Sequence, residues 1–384
     1  ISNGNFSDAI KIVKEDIALP LILGYICPAP CEKVCKRSQI DSPVSICQLK
    51  KFVAAEDLTG KNPWFPQKEN PTGKKIAIIG SGPGGLSAAY YLSRMGYTVE
   101  IFEKSSAAGG MLRYGIPEYR LPYGKLDKDI NFIVSQGVKI HYNTAVGKEI
   151  TFDEIYAKFD AVFISTGLFE PYFIGIKGED NPGVISGLKL LQDVTDGKEV
   201  QLGKHVVVVG GGNVAMDAAR TARRLGSEVS VLYRRRLEDM PADREEIDEA
   251  LEEQVNFICQ AIPLEIEKTA DNRLSIIWGK AEMKLEEGAK RPQPVLIDGS
   301  REVLVADTVI AAIGQGMNFN WMDGEAFAKI KFGKWNIEAD RWGRSSDQKV
   351  FIGGDMFNRT ADAITAIADG HRSARAIDNI LNPS

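Results

Sequence analysis

With 384 residues, 44% of them hydrophobic and 26% charged, the chain has the profile of a soluble globular protein and room for two or three domains. A net charge of −5 gives no electrostatic footprint for nucleic acid. No apolar run is long enough to span a membrane, since the stretch from Ile17 to Ile26 is short and broken by Pro20. Five cysteines, four of them between Cys27 and Cys47, argue against dispersed disulfides and for metal binding in a reducing compartment, so the expected location is the cytoplasm. The chain opens on Ile1 with no signal-peptide pattern, which reads as a processed form, a truncation or a fragment.

In chain order, Asp8–Lys14 reads as a short amphipathic helix, followed by the Pro-rich cysteine segment and a second helix over Ile46–Glu56. Gly60–Gly73, with Pro63, Pro66 and Pro71, reads as a linker or strap. Lys75–Gly80 (KIAIIG) is a β-branched apolar run, Gly84–Met95 is helical and Thr98–Glu103 is a strand, together a strand–helix–strand unit of a parallel sheet. The pattern recurs at His205–Gly210 (HVVVVG), Asn213–Leu225 and Glu228–Tyr233, with the first glycines 130 residues apart. Further strands are expected at Val255–Cys259, Leu274–Trp278, Thr308–Ile313 and Val350–Ile352, and a last helix over Ala361–Leu381.

The turn Gly80-Ser-Gly82-Pro83-Gly84-Gly85 follows a strand and opens a helix. Gly80 suits the tight turn, Gly82 lets backbone approach a pyrophosphate, and Gly85 lets the helix pack close to the sheet. The helix N-terminus offers unpaired N–H groups to the phosphates. Glu103, at the end of the next strand, is placed for a ribose diol. Two further segments read as exits from the same sheet: Ile164-Ser-Thr166-Gly167, and Val350-Phe-Ile-Gly-Gly354-Asp355 ahead of the last helix. An Asp there can reach a ribityl hydroxyl or a second phosphate face, or serve only as a helix N-cap or turn acid, and the helix N-terminus can stabilise negative charge on a reduced flavin ring. A dinucleotide fold interrupted by a second one resembles flavoproteins of the glutathione and thioredoxin reductase type, and that resemblance implies FAD at the first loop.

The second loop, Gly210-Gly-Gly212-Asn213-Val214-Ala215, carries Ala at the third small position. Glu103 lies 23 residues after Gly80, whereas 23 residues after Gly210 stands Tyr233, followed by Arg234, Arg235 and Arg236. An acid would repel a 2′-phosphate and guanidinium forks would bind it, so the site reads as NADP(H) in preference to NAD(H), with Arg234 and Arg235 as the contacts. Neighbouring strand residues point opposite ways, so part of this run is also expected in solvent.

The cysteines are spaced Cys27-x3-Cys31-x3-Cys35-x11-Cys47. Structural zinc favours C-x2-C pairs, which are absent, whereas four thiolates suit a [4Fe–4S] centre. Cys259, on an apolar strand, reads as a structural thiol. His141, His205 and His371 are scattered and take no assigned chemistry. Neither nucleotide loop has a C-x-x-C nearby, which disfavours a disulfide reductase.

Taken together, CPAPCEKVC, PVSICQLKKF, GSGPGGLSAA, GGMLRYGIPEYRLP, GGGNVAMDAAR and YRR followed by MPA resemble the glutamate synthase small-subunit family, which includes the amino-terminal half of dihydropyrimidine dehydrogenase. The short first cysteine gap and the added Cys47 look more like members that serve as NAD(P)H modules of formate dehydrogenase or sulfide dehydrogenase type. The resemblance implies an α/β fold with two Rossmann-like dinucleotide-binding domains behind a small helical iron–sulfur domain. The expected division is 1–70 for the helical domain, 71–198 with 314–384 for FAD, and 199–313 for NAD(P). It further implies that the Gly109–Pro122 loop lies along the FAD, with Arg113 and Arg120 near phosphate or thiolates. The expected contacts beyond the two loops are Lys104, Gly110, Met111, Arg120, Thr166, Gly167, Gly314, Gly354, Asp355, Ala363 and Ile364. The implied function is an NAD(P)H oxidoreductase passing hydride electrons through FAD to the cluster and on to a partner subunit or fused domain. A glutamate synthase small subunit proper, a disulfide-reductase-like flavoprotein with a structural metal, and a nucleotide-sensing subunit are the alternatives. The flavin carries the chemistry, so no catalytic side chain is assigned.

Overall fold

The computed structural model describes residues 1–384 except 61–62, 286–290, 323, 334–335, 359 and 383–384; part of the expected Gly60–Gly73 strap therefore lies outside the described residues. Two compact units emerge, one of residues 1–113, 118–168 and 317–384, the other of 114–117 and 169–316.

The first unit begins with four helices: α1 (Phe6–Asp16), α2 (Pro20–Ile26), α3 (Pro30–Lys33) and α4 (Ile46–Thr59). Asn5 caps α1, its side chain accepting from the Asp8 N–H. Ile10, Leu21, Val53 and Ala54 form a small buried core, with Phe6, Val13, Tyr25 and Trp64 packed around it. Inside it Lys14 Nζ meets Asp57 Oδ2 at 2.6 Å and lies over the Phe132 ring. The stretch from Ile17 to Ile26 thus supplies the short helix α2, buried over Pro20–Gly24, and no described helix is long and apolar enough to cross a membrane.

The dinucleotide fold follows: β1 (Lys75–Ile79), α5 (Pro83–Arg94), β2 (Thr98–Phe102), α6 (Met111–Tyr114), α7 (Tyr123–Val134), β3 (Lys139–His141), α8 (Phe152–Lys158) and β4 (Ala161–Ile164). The chain then builds the second unit: β5 (Glu170–Pro171), β6 (Val184–Ser186), α9 (Gly187–Thr195), β7 (His205–Val209), α10 (Asn213–Arg224), β8 (Glu228–Tyr233), α11 (Arg244–Glu252), β9 (Asn256–Cys259), β10 (Ala261–Lys268), β11 (Leu274–Lys284), β12 (Gln293–Leu296), β13 (Glu302–Ala306), β14 (Thr308–Ala311) and β15 (Gln315–Gly316). It returns to the first unit for β16 (Val350–Ile352), α12 (Asp355–Asn358) and α13 (Ala363–Leu381).

The first sheet runs β16-β4-β1-β2-β3 and is parallel throughout. Its central strands β1 and β4, with β16, are buried apolar runs, as sheets covered on both faces require. Ile79, Ile164 and Ile352 are in register, so three loops leave the sheet at one level. Helix α13 lies against α5 so closely that a Cβ at Gly370 would fall 2.2 Å from the Gly84 carbonyl.

The second sheet, β6-β14-β7-β8-β9, is also parallel. Beside it β10, β11, β12 and β13 form an antiparallel sheet. Residues 184–195, placed with the first sheet by the sequence reading, supply β6 and α9 to the second. The sequence offers no mark there, because a chain leaves one parallel sheet for another through an ordinary loop. The last helix starts at Ala363, because Ala361 sits at φ +54° and Asp362 caps the first turn.

Candidate functional site

At the end of β1 the four glycines answer to different constraints. Gly80 has φ +99°, and a Cβ there would stand 2.5 Å from the Ser165 carbonyl oxygen. A Cβ at Gly85 would stand 2.0 Å from the Gly80 carbonyl oxygen, and one at Gly84 2.6 Å from Ser165 Oγ. At Gly82 nothing lies within 4 Å, so the protein itself does not require that glycine; it keeps backbone open to an outside group. Pro83 opens α5, its missing N–H costing nothing at that position.

Glu103 is buried and already engaged. It accepts from Ser81 N–H (2.9 Å) and Oγ–H (2.6 Å) and from Ser105 N–H (2.7 Å). The acid expected to hold a ribose therefore also ties the glycine loop to the next strand, and a carboxylate with about four lone-pair sites keeps capacity for a further donor. Lys104 is exposed beside it. Gly110 packs on Gly82, where a Cβ would approach the Gly82 Cα to 2.8 Å, and Gly109 N–H donates to Ser81 O. Met111 and Arg120 are half-buried in the following loop. Arg113 is held by the Ala108 carbonyl and by Asp127.

The neighbouring loops converge on the same edge. Thr166 donates to Met356 Sδ, and Gly167 and Gly354 both take positive φ, +68° and +73°. Asp355 Oδ1 is buried with no hydrogen-bond partner among the described residues. Burial and the negative charge of Asp362 push its carboxyl up to about 6. Ala363 and Ile364 form the half-buried first turn of α13. A buried acceptor without a donor fits a ligand hydroxyl.

The second loop repeats these constraints. Gly210 (φ +149°) would put a Cβ 2.2 Å from the Ala312 carbonyl oxygen, whereas Gly212 has nothing within 4 Å. Ala215 is fully buried where α10 meets the sheet, and Asn213 and Val214 form the first turn of α10. Asn213 also clamps the loop after the arginines, accepting from Asp243 N–H at 2.8 Å and donating to its carboxylate at 3.3 Å. Ala242 N–H adds a bond to Gly211 O.

The three arginines part company. Arg236 is tied to Asp239 at 2.8 Å and to Glu238 at 3.2 Å. Arg235 donates to Gln293 Oε1 at 3.0 Å. Arg234 is exposed, with no hydrogen bond or ion pair to any described residue. Gly314, at φ +121°, lies beside the Tyr172 ring.

Among the cysteines, Cys27 follows the last turn of α2, and Cys47 in α4 donates its thiol to the Leu23 carbonyl of α2 at 3.2 Å. Burial pushes the Cys47 thiol up, and the Cys27 thiol is near enough to help raise it. Cys35 is held below the ordinary thiol range chiefly by backbone N–H groups of Val44 and Arg37. Cys31 is exposed. Among the described residues no three His, Cys, Asp or Glu side chains are grouped closely enough to hold a metal ion. The residue types, four thiols without a histidine, fit an iron–sulfur centre. Ser81, Ser165 and Asn213–Asp243 order the loops through contacts that motif spacing does not mark.

Residues 74–370 match the pyridine nucleotide-disulphide oxidoreductase family, and residues 1–61 match dihydropyrimidine dehydrogenase domain II, 4Fe-4S cluster. Over 99% of its length the chain is 39% identical to the NADP(+)-dependent formate dehydrogenase subunit beta of Moorella thermoacetica, covering 57% of that protein. It is 36% identical to the NADPH-Fe(3+) oxidoreductase subunit beta of Geobacter sulfurreducens, covering 61%, and 31% identical to the glutamate synthase [NADPH] small chain of Escherichia coli, covering 84%. The chain thus spans somewhat over half the length of the first two relatives. Among solved structures it resembles Mycobacterium tuberculosis FprA in complex with NADPH, with a TM-score of 0.68 at 19% identity over 81% of this chain and 85% of that one. T. acidophilum thioredoxin reductase gives 0.59 at 20% identity, over 79% and 98%. At these identities the likeness is one of fold. The chain therefore belongs to the family of NAD(P)H oxidoreductases that includes the glutamate synthase small chain, iron–sulfur flavoproteins joining a pyridine nucleotide-disulphide oxidoreductase fold to a 4Fe-4S domain of dihydropyrimidine dehydrogenase type.

Proposed function

We propose that the chain exchanges electrons between NADP(H) and a partner subunit or fused domain, with FAD on the Gly80–Gly85 loop, NADP(H) on the Gly210–Ala215 loop and a [4Fe–4S] cluster on Cys27, Cys31, Cys35 and Cys47. The observation that carries the reading is the pair of loops whose middle glycines, Gly82 and Gly212, alone among the motif glycines have no protein atom near a built Cβ. Bound FAD supplies the conversion between two-electron hydride transfer and single-electron transfer.

The chain's residues bind and orient. The first turns of α5 and α10 present N–H groups to pyrophosphate. Asp355 Oδ1 accepts from a hydroxyl of the bound dinucleotide, and Glu103 completes a ribose contact. Arg234, the least committed of the three arginines, takes the 2′-phosphate with Arg235. Cys31 and Cys35 close on the Cys27–Cys47 pair as metal binds, a coupling of ligation to local folding. The relatives named as a beta subunit or small chain support a partner. The alternative of a formate-dehydrogenase-type assembly over glutamate synthesis is favoured by the 39% against 31% identity.

The test is an anaerobic visible titration with NADPH combined with cofactor and iron analysis. Yellow protein that releases FAD, carries about four irons per chain and bleaches on NADPH addition is expected. FMN in place of FAD, stoichiometric zinc without iron, or a flavin untouched by NADPH overturns the reading.

A further inference from the structure

Helix α2 starts without a cap of its own. Its N-cap position is Leu19, which has no polar side chain, and Pro20 in its first turn has no N–H. The next two donors, on Leu21 and Ile22, belong to residues 1% and 0% exposed. These are the N–H groups that a capping side chain normally satisfies, and buried without a partner they would destabilise the helix.

The partner comes from elsewhere in the unit. Asp129, on α7 beside the first sheet, is 1% exposed. Its Oδ2 accepts from Ile22 N–H at 2.9 Å, and the Leu21 backbone N–H beside it also favours the charged carboxylate. Burial pushes this carboxyl up to about 7, against the pull of Lys14, whose own ion pair is with Asp57. A buried acid is costly unless its hydrogen bonds are worth more, and here the otherwise orphaned Ile22 N–H needs an acceptor.

The far end of α2 carries the chemistry. Cys27 follows its last turn, and the Cys27 N–H donates to Leu23 O at 3.2 Å. Cys47 Sγ donates to the same carbonyl at 3.2 Å. Gly24 lies so close to α4 that a Cβ would be 2.3 Å from Lys51 Cβ. A single turn of α2 therefore stands against both cysteines, through the Cys27 backbone and, in the metal-free protein, the Cys47 thiol.

We propose that Asp129 is a positioning residue for the cysteine pair: it caps α2 from the dinucleotide fold and so sets where Cys27 and Cys47 stand. The role rests on reading these two thiols as cluster ligands, while its test reads α2 directly. In the intact protein as isolated, the Leu21 and Ile22 amides should exchange hydrogen only through large-scale unfolding; exchange within minutes would by itself overturn the cap. In Asp129→Asn, which keeps the shape but turns one acceptor into a donor, exchange at Leu21–Leu23 should quicken by about tenfold, the scale of a lost cap. The electron paramagnetic resonance signal of the reduced cluster should broaden or weaken while bound FAD stays constant. Leu126→Ala, fully buried on the same helix but not part of the cap, should destabilise the protein without this local effect. Parent-like exchange in Asp129→Asn, or equal local acceleration in Leu126→Ala at matched melting temperature, would sink the proposal. A parent protein without iron but with protected α2 amides would fault the cluster assignment and leave the cap standing.

Discussion

At the scale of single residues, the arginine run after β8 shows how neighbours of identical chemistry are sorted by their surroundings. Arg236 is neutralised by Asp239 and Glu238, Arg235 spends a donor on Gln293, and Arg234 is exposed. Removing the Arg234 and Arg235 charges together should weaken NADPH binding by about 1–3 kcal/mol, the scale of charge-assisted hydrogen bonds, and leave NADH binding nearly unchanged. Arg236→Ala should alter neither, because its charge is already met. Dissociation constants for both nucleotides on the three proteins decide it; parallel losses for NADPH and NADH would mean that the arginines serve the fold or the shared pyrophosphate.

At the scale of elements, each glycine loop joins a strand to a helix, and its glycines divide into those the fold requires and those it does not. Gly85→Ala drives a Cβ into the Gly80 carbonyl at 2.0 Å, so α5 must shift off the sheet at a cost of at least about 1–3 kcal/mol. Gly82→Ala meets no protein atom within 4 Å and should leave the cofactor-free protein about as stable as the parent while weakening FAD binding. Thermal melts of cofactor-free protein, paired with FAD titration, separate the two. If Gly82→Ala lowers the melting temperature as much as Gly85→Ala, the loop is a packing turn and its role in binding fails.

For the whole molecule, the proposed electron path ends at the four-cysteine segment, neither nucleotide loop carrying a C-x-x-C pair. Cys31 is exposed, so Cys31→Ser removes a proposed ligand with little loss of packing. That variant should still bleach with NADPH but lose the electron paramagnetic resonance signal that NADPH produces in the parent. A signal of parent intensity would exclude Cys31 from the cluster. The identity with the relatives named above extends over 99% of the chain, so the helical segment and both sheets fall within the same similarity.

The sequence alone determined the two nucleotide units, because β-branched runs, glycine spacing and the helix that follows are local signals. Lys75–Ile79, Glu228–Tyr233 and Val350–Ile352 lie where apolar runs end on glycine, arginine or turn residues. It also marked the cysteine segment, by spacing alone. Only the tertiary structure decided what depends on groups far apart in the chain. Residues 184–195 join the second sheet because β6 pairs with β14. Asp355 Oδ1 is left buried without a hydrogen-bond partner among the described residues, and Glu103 is shared with Ser81. The cap of α2 comes from Asp129, 107 residues beyond Ile22. A local cap is written beside its helix and can be read there, whereas an acceptor delivered across a fold has no sequence distance to betray it.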